Sequence, residues 1–151
     1  MTEVEIRRIP GTEFFEDGEP HPDAYGIRKA VFVDEQGVPE ELELDGKDES
    51  ATHFVAYNGG RAVGTARLRI LEDGEAKPER IAVEKPFRKR GIARQLMETV
   101  EMEAIDCGCV RAVLHAQTAV QEFYEGLGYD VCSDVFDEAG IPHVEMVKQL
   151  E

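Results

Sequence analysis

The sequence predicts an α+β domain over residues 1–151: a mixed, mostly antiparallel sheet of six to seven strands with helices on both faces. Three observations predict it. Short apolar segments of strand character follow one another through residues 4–83, with a hairpin signal among them. From Gly91 to about Asp106 the spacing changes, and apolar residues recur every fourth position. Beyond Gly108, strand-like segments alternate with a second, shorter helical one. Consecutive strands followed by strand–helix alternation imply one sheet with helices packed on its faces.

Taken in order, residues 4–9 read as an opening strand, and Pro10 to Pro22 as a loop carrying Gly11, Gly18 and Pro20. Residues 23–36 read as a helix, with Ile27, Ala30, Val31 and Asp34 on neighbouring turns and Gly37 as its stop. Residues 38–51 are acidic and read as irregular. Residues 53–57 form a short strand, and Asn58-Gly59-Gly60 a hairpin turn, because Asn and Gly accept positive φ. The next strand alternates, with Ala66, Leu68 and Ile70 on one face and Thr65, Arg67 and Arg69 on the other. A second turn near residues 72–75 leads to a strand over about 76–83. The helix from Gly91 sets Ile92, Leu96, Val100 and Ala104 on one face. Residues 110–115 form a strand and 118–126 a second helix. Residues 129–136 and 143–148 form two last strands joined across 138–142.

Charge narrows the function. With 32 acids against 17 bases the net charge is −15, and phosphate backbones would be repelled, so nucleic-acid binding is not expected. No run of 18 apolar residues is present, so no membrane span is expected. The opening MTEVEIRRIP lacks the apolar stretch of a secretory signal, which makes the cytoplasm the expected compartment. The acidic balance has two readings: an ordinary soluble acidic protein, or halophilic adaptation to concentrated salt, where screening relieves self-repulsion. Unfolding followed against KCl separates them, since a halophilic chain loses stability as salt is withdrawn. Cys107, Cys109 and Cys132 are odd in number and imply no disulfide framework. The spacing of the first two is not that of a zinc pair and no second pair exists, so no metal is expected.

The chemistry-bearing segment is Arg88-Lys89-Arg90-Gly91-Ile92-Ala93, which joins the strand at 76–83 to the helix from Gly91. Backbone N–H groups at a helix start have no internal partner and sit at the positive end of the dipole, so they form an anion site. Gly91 lets a phosphate approach without a Cβ in the way, and the small Ala93 keeps the first turn open. Residues 85–97 hold no acid and carry Lys85, Arg88, Lys89, Arg90 and Arg94, in a chain otherwise dense with carboxylates. The segment is neither GxxxxGK[ST] nor GxGxxG, which excludes a triphosphatase P-loop and a dinucleotide fingerprint.

Ile81-Ala82-Val83 followed by Arg88-x-x-Gly91-x-Ala93 and a helix resembles the acetyl-CoA motif of the GNAT N-acetyltransferases. Ala119 to Tyr129 (AVQEFYEGLGY) resembles that family's following helix. Residues 31–39 (VFVDEQGVP), with Asp45, Asp48 and His53, are similar to its ElaA-type branch. The resemblance spans about 24–148 and is most specific in 80–128. It implies a GNAT-like sheet splayed between the fourth strand (76–83) and the fifth (110–115). Acetyl-CoA would enter there as co-substrate, with pantetheine along Ile81, Ala82 and Val83 and diphosphate on the amides of Arg88, Lys89, Arg90, Gly91, Ile92 and Ala93. Gln117 stands where many relatives carry an Asn that touches pantetheine, and its greater length puts that contact in doubt.

The same resemblance implies an enzyme: an acyl-CoA-dependent N-acyltransferase moving an acetyl group directly to the primary amine of a small molecule or peptide. The backbone N–H near Val83 could serve the oxyanion. Tyr124 matches the family's acid for the leaving sulfur and also borders the cofactor. For the base, Glu79 is the first candidate, with Glu35, His53 and His143 beside it. Dimers are common in the family, so a homodimer stays open. A non-catalytic acyl-CoA-binding sensor is the alternative reading, because the loop alone does not distinguish binding from turnover.

Overall fold

The computed structural model describes residues 4–150; residues 1–3 and 151 of the expected domain lie outside the described residues. β1 (Glu5–Pro10) leads through a single 3-10 turn to a small hairpin of β2 (Phe15–Glu16) and β3 (Glu19–Pro20). α1 (Pro22–Arg28) begins at His21, whose Nδ1 accepts from the amide of Ala24 at 3.4 Å, with Pro22 in the first turn, where no amide is needed. The helix runs on as a π-helical stretch over Lys29–Glu35, followed by the four-residue α2 (Glu40–Glu43).

β4 (Thr52–Asn58), β5 (Arg61–Ile70) and β6 (Glu75–Val83) form the expected antiparallel meander, and Gly59 and Gly60 at its first turn both have positive φ. Then come α3 (Ile92–Asp106), β7 (Arg111–Gln117), α4 (Gln121–Gly126), β8 (Asp130–Val131), β9 (Phe136–Glu138) and β10 (Ile141–Gln149). The sheet order is β1-β4-β5-β6-β7-β10-β8, with β9 pairing the start of β10 as an eighth strand. Among the described residues only β6 and β7 run parallel.

Alternation along β4 sorts the two faces. Phe54 and Ala56 pack with Val63, Ala66 and Leu68 against Ile92, Leu96, Val100 and Ala104 of α3, the four positions expected from their spacing. Val55 and Tyr57 point the other way, onto Ala24 and Ile27 of α1 and Val31. On the α3 side Met97, Tyr124 and Tyr129 cover Ala112, Leu114 and Ala116 of β7 and Val144 and Met146 of β10. Burying a side chain such as Leu96 contributes about 1.5–3 kcal/mol.

Three expectations need correction. Asp34 does not share the buried face with Val31. The π-helical stretch, with Gln36 N–H donating to Val31 O, adds a residue to the turn and rotates Asp34 into solvent. Ile70, beside the turn that ends β5, is half exposed rather than part of the α3-facing row. The strand expected over 129–136 is interrupted: Asp130 and Val131 pair with Val147 and Met146, Phe136 opens β9, and between them Ser133 Oγ accepts from the amide of Glu145 at 2.8 Å in place of a backbone carbonyl.

Candidate active site

Parallel pairing of β6 with β7 is confined to Glu75 with Arg111 and Ala76 with Ala112. Beyond those pairs the strands separate, and a cleft of about 1050 Å³ opens between them. Because it passes through the sheet, it is lined from both faces. Leu114 and Tyr124 belong to the α3 side, whereas His115 and Gln117 alternate onto the α1 side.

The β6 wall carries a bulge. Thr65 pairs with Ala82 but Arg67 pairs with Glu79, so Arg80 and Ile81 together oppose Ala66, and Arg80 takes φ +55°. Glu79, Ile81, Ala82 and Val83 all line the cleft. So do Arg88, Lys89, Gly91, Ile92 and Ala93 of the loop that follows. Lys89 and Gly91 have φ of +64° and +81°, which bends the chain tightly into α3. The first helical bond of α3 is accepted by Gly91 O from Gln95, leaving the amides of the preceding turn without helical partners at the cleft wall.

The loop's cations are largely committed. Arg88 donates through Nε to Val83 O at 2.8 Å and clasps both Glu35 oxygens at 2.7 Å, which lowers the Glu35 carboxyl and raises the guanidinium. Arg90 does not line the cleft; its guanidinium lies 5.3 Å from the Phe87 ring centre. Gln117 reaches the cleft and donates to Gln36 Oε1 at 2.9 Å.

Tyr124 is 7% exposed, and its hydroxyl has no hydrogen-bond partner among the described residues. Burial pushes its phenol pKa up, so the proton is retained well above neutral pH. Glu79 sits at the other end of the cleft, accepting from Arg69 Nε at 2.6 Å and Arg67 Nη2 at 2.8 Å. Burial alone would raise its carboxyl, but the Arg69 hydrogen bond and the charges of Arg67, Arg69 and Lys77 outweigh burial and hold it at about 2. A carboxylate so placed is a weak proton acceptor, which weighs against the base role expected of Glu79. His53 does not line the cleft. It is 1% exposed, stacked on Phe14 and bonded to Asp48 O, and burial lowers its pKa.

The acidic segment 38–51, read as irregular, is stitched to the sheet. Arg28 holds Glu43 at 2.6 Å and Asp48 at 2.8 Å; Arg67 holds Asp45 at 2.8 Å and Asp48 at 3.0 Å; Arg80 holds Glu43 at 2.9 Å. Across the cleft His115 Nδ1 lies 2.9 Å from Glu138 Oε1, and His143 Nε2 lies 3.7 Å from Glu138 Oε2. His115 and Glu138 are not among the site residues expected from the sequence. The signal for His115, a histidine on each of two late strands, has meaning only once β7 and β10 are known to pair.

A family model described as an acetyltransferase (GNAT) domain matches residues 16–150. The chain belongs to the GNAT acetyltransferase family. It is an acyltransferase, and the ElaA-type resemblance holds. The uncharacterized N-acetyltransferase YjcF of Bacillus subtilis (strain 168) is 42% identical over 127 residues, 83% of this chain and 90% of that protein. Protein ElaA of Escherichia coli (strain K12) is 30% identical over 130 residues, 82% of this chain and 84% of its own. The crystal structure of Escherichia coli ElaA superposes with a TM-score of 0.84 over 97% of this chain and 99% of that one. A GNAT acetyltransferase from Elizabethkingia anophelis with acetyl-CoA bound shares the fold, at 18% identity and a TM-score of 0.73, over 97% of this chain and 98% of that one.

Proposed function

We propose that the protein transfers an acetyl group from acetyl-CoA directly to the primary amine of a small molecule or peptide. One observation carries this reading: the β6–β7 separation and the open N-terminus of α3 border one continuous cleft. An extended thioester chain would lie on the free edge of β6 at Ile81, Ala82 and Val83. Its diphosphate would reach the amides around Gly91. The Elizabethkingia relative, holding acetyl-CoA on the same fold, supports the choice of co-substrate.

Direct transfer needs a neutral amine, an oxyanion donor and a proton for the departing sulfur. The amide of Val83, on the cleft wall just past the bulge, supplies the donor. Tyr124 supplies the proton, since burial keeps its phenol protonated. Glu79 is an anchor: it fixes Arg67 and Arg69 rather than taking a proton.

Release of free CoA from acetyl-CoA, screened over a broad amine panel in high KCl, tests the reading. Turnover should rise with at least one primary amine, and no acceleration by any amine would reject transfer. Tyr124→Phe is expected to lower turnover roughly a hundredfold with acetyl-CoA affinity and stability unchanged, because its hydroxyl bonds to none of the described residues. Wild-type turnover in that variant would remove the acid role.

A further inference from the structure

We infer that His143 is the general base of this site, with Glu138 as its positioning residue; the inference rests on the acetyl-transfer reading above. His143 lines the cleft and is 7% exposed. Its Nδ1 lies 2.7 Å from Ile141 O, and a carbonyl can only accept, so the ring proton sits on Nδ1. Nε2 therefore carries the lone pair of the neutral ring. The ring is held flat by Phe136, stacked at 6.1 Å with an interplanar angle of 22°.

The pairing of β10 with β7 places this ring. His143 pairs with Gln117 and Glu145 with His115, while Val144 and Met146 turn to the α3-side core. The imidazole thus lies on the α1 side of the sheet and Tyr124 on the α3 side, with the cleft between. A thioester carbonyl in the cleft would meet the base on the face where the amine arrives and the acid on the opposite side, near the sulfur.

The charged surroundings favour the role. Glu138 Oε2 is 3.7 Å from Nε2, a carboxylate that would stabilise the imidazolium once a proton is taken. His115 fixes that carboxylate through Nδ1 at 2.9 Å, and its Nε2 lies 3.4 Å from Glu145 Oε2. Asp45, Glu79, Lys47 and Lys77 line the same cleft, and both carboxylates among them are bound by arginine.

The proton balance closes. The acceptor ammonium gives one proton to His143 Nε2, which passes it to solvent beside the half-exposed Glu138. The neutral nitrogen then bonds to the carbonyl carbon and the C–S bond breaks. The second nitrogen proton replaces the one Tyr124 donates to sulfur, giving amide and free thiol.

Three measurements test this with an amine that the wild-type enzyme acetylates. His143→Gln is expected to lower kcat about a hundredfold and to remove the acidic limb of the kcat/KM profile, with acetyl-CoA affinity unchanged. Glu138→Gln should move that limb while keeping most of kcat at its optimum. Nitrogen NMR of the free enzyme should find the His143 proton on Nδ1. A retained acidic limb and rate in His143→Gln, or an Nε2–H tautomer, would overturn the base assignment while leaving acetyl transfer standing. Wild-type enzyme that acetylates no amine would overturn the transfer reading, and the base with it.

Discussion

Gly91→Glu is expected to abolish measurable acetyl-CoA binding. Gly91 caps α3 with φ +81° and ψ +10°, a conformation that costs a non-glycine residue about 1–3 kcal/mol. A Cβ at this position would meet nothing within 4 Å, so the fold has room for the side chain. The loss falls instead on the anion site, where a carboxylate would stand before the free amides and compete with the diphosphate for them. Losing two charge-assisted hydrogen bonds removes about 3–6 kcal/mol, or roughly a hundred- to ten-thousandfold in Kd. Calorimetry with acetyl-CoA reads it directly, and circular dichroism checks that the variant is folded. Gly91→Ala, with the strain but no added charge, should fall between. Wild-type affinity in Gly91→Glu would reject the loop assignment.

That loop was legible because its determinants are local. A strand, a basic turn, one glycine and an amphipathic helix follow one another in sequence, and each constrains its neighbour. The same holds for the meander, whose turn residues stand beside the strands they join. The opposite wall was legible only in part: Gln117, Tyr124 and His143 stood out singly, but their arrangement did not. His115, Glu138 and His143 meet only because β10 returns beside β7, and no local spacing encodes that register. Glu79 drew attention as a carboxylate near the pantetheine stretch, yet its chemistry is set by Arg67 and Arg69 on the neighbouring strand. The π-helical turn at Lys29–Glu35 was hidden for another reason. Its residues pattern as an ordinary helix, and no local spacing encodes the inserted residue.

Those arginines govern the second prediction. Arg67→Met is expected to destabilise the protein by about 3–5 kcal/mol, which for a chain of this length lowers Tm by roughly 6–20 °C. Arg67 is fully buried and holds Asp45, Asp48 and Glu79, and Asp48 is itself 1% exposed. Removing the guanidinium leaves Asp48 with Arg28 as its arginine partner and strands part of a buried negative cluster. One feature tempers the loss: Arg67 Nε is buried with no partner among the described residues, and a methionine no longer carries that cost of about 1–3 kcal/mol.

The pH dependence separates this electrostatic account from a simple packing defect. The folded Glu79 carboxyl is held at about 2 against an unfolded value of 4.5, and that of Asp45 is held well below its unfolded 3.8. Between these limits the unfolded chain binds more protons, so stability falls as pH falls. The arginine-derived contribution is complete above about pH 4.5 and lost toward pH 2. Urea unfolding should therefore show the widest gap between wild type and Arg67→Met at neutral pH, narrowing on acidification. A gap that stays constant to pH 3 would assign the loss to packing alone. Because Glu43, Asp45 and Arg80 line the cleft and are held by this network, the variant should also bind an amine acceptor more weakly while acetyl-CoA affinity at the α3 terminus is retained.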